Sequence, residues 1–261
     1  MVEVKAYLLT KLCHNSGGNN LNSSNKNVDI IRPIIFSLVY TIYFYVATKL
    51  IVENNMHISI HNITVGNIYR KLMEDFVVML LIPCILMIIY RGRLIELKLH
   101  FTHTYLQYAL IVIMALLFIL HNDFTIQGFY KPFFYLVIVA FGEELVFRGY
   151  VYNKLSKYNR LLAIIVSGFF FGILHAILPG IVAGDSLERI IFSMINEIGG
   201  GIIMGYYFIY LLEKSKSLYI PIFVHAILNY SRGGIGIITM IGAGVYLYIA
   251  DKNGTRQPLH L

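Results

Sequence analysis

Cysteine is nearly absent. Two in 261 residues, Cys13 and Cys84, are too few for a disulfide framework and do not have the Cys-x-x-Cys spacing of a metal or redox site. Charge is scarce too. Charged residues make up 13% of the chain and hydrophobic ones 57%, against roughly 25% and 45–50% in soluble domains, which excludes an ordinary soluble protein. No apolar h-region precedes the polar stretch from His14 to Asn27, so no cleavable signal peptide is expected and insertion falls to the first spanning helix.

What is present is apolar sequence in blocks, at a mean hydropathy of +0.69. Segments apolar all round need lipid or other membrane helices as neighbours. The formal charge of +7 sits in short clusters between these blocks, which suits loops facing an anionic leaflet rather than a nucleic acid. The expected class is therefore an all-α polytopic membrane bundle of about eight transmembrane helices. The spans read as Ile34 to Val52, Phe76 to Tyr90, Tyr105 to Leu120, Pro132 to Tyr152, Leu161 to Leu178, Ile190 to Leu212, Leu218 to Tyr230 and Ile235 to Ala250.

Along the chain this gives a polar, disordered cytoplasmic N-terminus over residues 1–30 and N-terminal membrane helices over 31–125. A membrane core follows over 126–250, with a polar tail over 251–261. With the N-terminus inside, Lys and Arg occupy 14 inner flanking positions, Lys98 and Lys157 among them, against 6 outer ones such as Lys71. A multi-pass cell-membrane protein with both termini cytoplasmic is expected. The seventh span is short, with Pro221 near its start, and is expected to be partly re-entrant or buried in the bundle. Gly168-x-x-x-Gly172 and Gly201-x-x-x-Gly205 are expected to let helix backbones approach closely, with no catalytic part.

Span four then breaks the rule that membrane helices avoid charge. It holds Glu143, Glu144 and Arg148, and each charge at a helix centre costs about 2.5 to 3.5 kcal/mol on the insertion scale. Glu144 and Arg148 stand at i and i+4 with the acid first, the favourable order for an ion pair. Glu143 points about 100° away. Snorkelling of Arg148 to the interface is the bland alternative, and each intramembrane histidine, taken singly, reads as a hydrogen-bonded interior residue. Together, however, Glu143, His175 on span five, and His225 with Asn229 one turn later on span seven are the inventory of a hydrolytic site. Amide cleavage by water needs a base, an acid for the leaving amine and donors at the oxyanion. Glu143, its pKa raised by a low-dielectric site, fits the first two, with His175 orienting the water and His225 and Asn229 holding the oxyanion. By counting residues, His175 falls several Å nearer the outer surface than Glu143 and Asn229. Glu197, beside Asn196 and before three glycines, is expected to line a substrate path, to sit near the outer interface, or to cap a break in span six.

Glu143-Glu144-Leu-Val-Phe-Arg148, then Phe171-Gly-Ile-Leu-His175, then His225-Ala-Ile-Leu-Asn229 together resemble the CPBP family of intramembrane proteases. That family includes the type II CAAX prenyl endopeptidases and the bacterial Abi or bacteriocin self-immunity proteins. The resemblance implies that Glu143 and His175 activate water, that His225 and Asn229 stabilise the oxyanion, and that Glu144 and Arg148 support the site. The implied activity is intramembrane hydrolysis of a CAAX-like, leader or signalling peptide, in peptide maturation or bacteriocin self-immunity. The rival reading is a non-proteolytic membrane immunity or regulatory protein on the same fold. A proton-coupled transporter finds no pair of interrupted halves. No cofactor is expected. The alternative is Zn2+ on Glu143, His175 and His225, but the sequence lacks His-Glu-x-x-His, and Asn229, the i+4 partner of His225, is a rare zinc ligand. The expected partners are membrane lipid and a peptide or membrane-protein substrate, with no nucleic acid; oligomeric state leaves no signature.

Overall fold

In a computed structural model the described residues form a bundle of eight helices. The structure describes residues 27–231 and 233–253, the side chain of Thr104 excepted. The expected disorder over 1–30 and the polar tail over 251–261 lie mostly outside the described residues, as does Cys13. Among the described residues there is no strand.

The described part of α1 is Asn27–Glu53, and α2 is Ile68–Ile89. α3 is Thr104–Leu120. α4 runs over 126–155 and contains two π-helical stretches, Phe134–Ala140 and Leu145–Tyr152, on either side of Phe141–Glu144. Then come α5 (Arg160–Val182), α6 (Leu187–Ser215), α7 (Tyr219–Ser231) and α8 (Gly234–Lys252). Each expected span is found as a helix. By length and composition α1, α2, α5, α6 and α8 are apolar enough to cross a membrane, and Tyr105–Leu120 is apolar but shorter. α4 carries Glu143, Glu144 and Arg148 in its middle. α7, at 13 residues, is about 20 Å long, shorter than the roughly 30 Å hydrocarbon layer. It is lodged inside the bundle against α3, α4, α6 and α8, with Ile220, Val224, His225, Ala226 and Ile227 buried.

Local chemistry sets the ends. Thr125 caps α4 by accepting from the Gly128 N–H at 3.1 Å, and Asn159 caps α5 by accepting from Leu162 N–H at 3.0 Å. Ser186 caps α6, with Glu188 in the first turn, where an acid favours the helix dipole. Pro221 lies in the first turn of α7, where its missing N–H breaks no helical bond.

Between helices in lipid there is no hydrophobic transfer term to gain, so association rests on close packing and polar bonds. The most extensive contact is α5 against α6, and it is the two Gly-x-x-x-Gly motifs meeting. A Cβ on Gly172 would lie 2.6 Å from the Glu197 carbonyl oxygen, and one on Gly201 only 2.4 Å from the Gly172 Cα. Larger residues at either place would push the backbones apart.

Two boundaries differ instructively from the sequence reading. α5 continues through Pro179 to Val182, beyond the expected Leu178. α2 begins at Ile68 rather than Phe76, because Lys71, Glu74 and Asp75 in its first turns are buried against one another instead of lying in a loop. α6 runs unbroken through Gly199, Gly200 and Gly201, so the expected break does not occur.

Candidate active site

Glu143, Glu144 and Arg148 all lie on α4 between and within the π-helical stretches, a feature that concentrates at functional sites. The fold buries them: Glu144 and Arg148 are 0% exposed and Glu143 8%. Arg148 Nη1 donates to Glu144 Oε1 at 3.1 Å, the intrahelical pair that the i, i+4 spacing predicts. Arg148 therefore does not snorkel.

His225 of α7 completes the group, at 2% exposure. Its Nδ1 lies 3.0 Å from the same Glu144 Oε1. A carboxylate held by a guanidinium is an acceptor only, so the proton of this bond resides on Nδ1. That leaves Nε2 facing Glu143, whose Oε2 is 3.7 Å away, too far for a hydrogen bond. Sequence reasoning paired Glu144 with Arg148 and left Glu143 alone; it missed that Glu144 reaches across to α7 and that His225 stands between the two acids.

Phenylalanines hold Arg148 and His225 in place. The Arg148 guanidinium carbon is 4.1 Å from the ring centre of Phe171 and 5.2 Å from that of Phe208, so the charge lies against two π faces. Phe208 also stacks on His225 at 4.9 Å and 18°. A Cβ on Gly205 would come within 3.3 Å of Arg148 Nη2, so the second Gly-x-x-x-Gly motif makes room for the guanidinium as well as for a helix. Phe171 is inside a recognised motif. Phe208 is one aromatic among several on α6, with no signal in the sequence.

His175 and Asn229 are arranged differently. His175 is exposed. Its Nδ1 donates to the Phe171 carbonyl at 2.8 Å, and its ring meets the edge of Phe171 at 4.5 Å. That bond fixes the tautomer, leaving Nε2 as an acceptor. No hydrogen bond joins it to Glu143 or His225 among the described residues. Asn229 is half-buried on the His225 face of α7, and its amide has no hydrogen-bond partner among the described residues. The next residue is anchored firmly: Tyr230 donates to Asp123 Oδ2 at 2.8 Å, and Lys131 donates to Asp123 Oδ1 at 2.6 Å. Asp123 thus ties the end of α7 to the start of α4, a positioning role that its place in a short polar loop did not suggest. Glu197 is exposed on α6.

Four buried atoms of this cluster have no partner: Glu143 Oε2, Glu144 Oε2, Arg148 Nε and Arg148 Nη2. Native proteins rarely leave buried polar atoms unpaired, so each requires an explanation. As for metal, among the described residues no three His, Cys, Asp or Glu side chains are grouped closely enough to hold an ion. The alternative zinc set of Glu143, His175 and His225 forms no such group.

The fold and this cluster define a polytopic helical membrane protein with a buried Glu–Glu–Arg–His centre. Residues 125–231 match the family model described as type II CAAX prenyl endopeptidase Rce1-like, the family that the three motifs resemble, and the matched segment contains all three. No curated protein matches the chain, and no solved structure does.

Proposed function

We propose that this chain is an intramembrane endopeptidase of the CAAX type that hydrolyses a peptide bond with water activated by Glu143. The observation that carries this reading is the unpaired, buried Glu143 Oε2 opposite His225 Nε2, an acceptor with no donor beside a ring that a second carboxylate orients. A water there gives its proton to Glu143 as its oxygen attacks the carbonyl carbon. His175 Nε2, an acceptor, positions the water. The carbonyl π electrons move to oxygen, and that oxyanion is held by the Asn229 amide and by His225 Nε2–H. Because Nδ1 already donates to Glu144, an Nε2–H requires the imidazolium. In that form two carboxylates face one guanidinium and one imidazolium, so the formal charges of the cluster balance. The tetrahedral species collapses, the C–N bond breaks, and the proton on Glu143 passes to the leaving amine.

The membrane core over 126–250 houses this chemistry, and we place both termini in the cytoplasm on the charge bias of the flanks. A CAAX-like tail, a leader peptide of the bacteriocin type or a signalling peptide would serve as substrate. The test is mass spectrometry of membrane peptides from cells carrying the wild type, Glu143→Gln, His175→Ala or His225→Ala. Uncleaved substrate should accumulate in all three variants at normal protein levels. Peptide profiles unchanged in all three would favour the non-proteolytic membrane regulator.

A further inference from the structure

A polar cavity of about 230 Å3 lies between residues 29–33 of α1 and the ends of α2 and α4. Its lining includes Arg32, Tyr90, Lys154, Lys157, Tyr158 and the single acid Asp29, three cations against one carboxylate. The volume holds several waters at about 30 Å3 each, or one phosphate group. We propose that this cavity binds the phosphate of an anionic phospholipid headgroup.

The side chains are arranged for an anion. Asp29 is occupied already, accepting from Tyr158 at 2.9 Å and lying 3.5 Å from Arg32, so it positions two lining groups and competes only weakly for a ligand. Lys154 donates to Glu96 Oε2 at 3.3 Å and lies 5.2 Å over the Tyr90 ring, which fixes its ammonium at the cavity. Lys157 is exposed and forms no ion pair within 4 Å among the described residues. An Arg, two Lys and tyrosine hydroxyls together offer a tetrahedral anion donors from several sides.

A lipid rather than a free ion follows from what borders the cavity. Val28, Ile31 and Ile35 on α1 and Ile88 and Ile89 at the end of α2 are exposed apolar side chains one or two positions from lining residues. Acyl chains can lie on them while the headgroup sits among the cations, as basic residues at a membrane surface attract anionic lipid. The site is independent of whether the chain cleaves a peptide.

Native mass spectrometry of the full-length protein, titrated with equimolar phosphatidylglycerol and phosphatidylcholine, tests this. The wild type is expected to retain phosphatidylglycerol preferentially. R32Q/K157Q should lose that preference by about thirtyfold, from two surface charges, whereas R32K/K157R should keep it. K98Q/K216Q, at the same end of the bundle but outside the cavity, should bind like wild type. Unchanged preference in R32Q/K157Q, loss in R32K/K157R, or equal loss in K98Q/K216Q would overturn the site. So would stabilisation of the lipid-free protein by inorganic phosphate without any lipid preference, which would mark a free-anion site.

Discussion

Two clusters of buried charge lie in this bundle, one at the start of α2 and one in the middle of α4. In the α2 cluster every carboxylate oxygen is occupied. Lys71 bonds Glu74 at 3.2 Å and Asp75 at 2.8 Å. His57 and the Ile58 N–H bond Glu74 at 2.6 and 3.0 Å, and Tyr130 donates to Asp75 at 2.6 Å. In the α4 cluster four atoms stay unpaired, and the acid most exposed to a reactant, Glu143, has no hydrogen bond at all on Oε2. Both clusters carry the desolvation cost of charge. The first offsets it with a closed network that joins α1's following loop, α2 and α4; the second leaves it partly uncompensated, which is what a site awaiting substrate requires.

The comparison is sharpened first by the variants with the largest expected effects. Glu143→Gln should lower cleavage by about 10²–10⁴-fold, the range for a general acid–base group, and His225→Ala at least as much, because it also strips a partner from Glu144. Combined, the two should cost little more than either alone, as residues of one unit do; single-turnover rates on the accumulated substrate check this. In the α2 cluster, Asp75→Asn should instead destabilise the fold by about 3–5 kcal/mol, the cost of breaking a buried pair, read by thermal unfolding in detergent.

How far the sequence foretold this pairing depends on reach along the chain. The Glu144–Arg148 pair was legible because i, i+4 spacing on one helix places the two side chains together whatever surrounds them. The Glu144–His225 bond spans 81 positions, and no local rule specifies which face of α7 meets α4. The three motifs mark α4, α5 and α7, and the family resemblance implies roles for them, but the contact between α4 and α7 belongs to the fold. The α2 cluster was missed for a related reason. Arg70, Lys71, Glu74 and Asp75 read as a polar flank until a buried helix start and Tyr130 from α4 are in place. His57, in a loop of unremarkable composition, gave no signal.

Asn229→Ala should reduce kcat by about 10²–10³-fold with little change in KM, as loss of one oxyanion donor does; a KM effect with kcat intact would move Asn229 to ground-state binding. Glu197→Gln is expected to do the least, leaving cleavage within about twofold and unfolding unchanged within about 0.5 kcal/mol, since its side chain is exposed.

The most direct measurement is the paired one, cleavage per folded molecule and unfolding temperature recorded together for Glu143→Gln and Asp75→Asn. The expected result is a crossed pattern: Glu143→Gln unfolds with the wild type and does not cleave, while Asp75→Asn unfolds early and, where folded, cleaves normally. Contradiction would come from cleavage surviving in Glu143→Gln, or from both variants losing stability and activity in parallel.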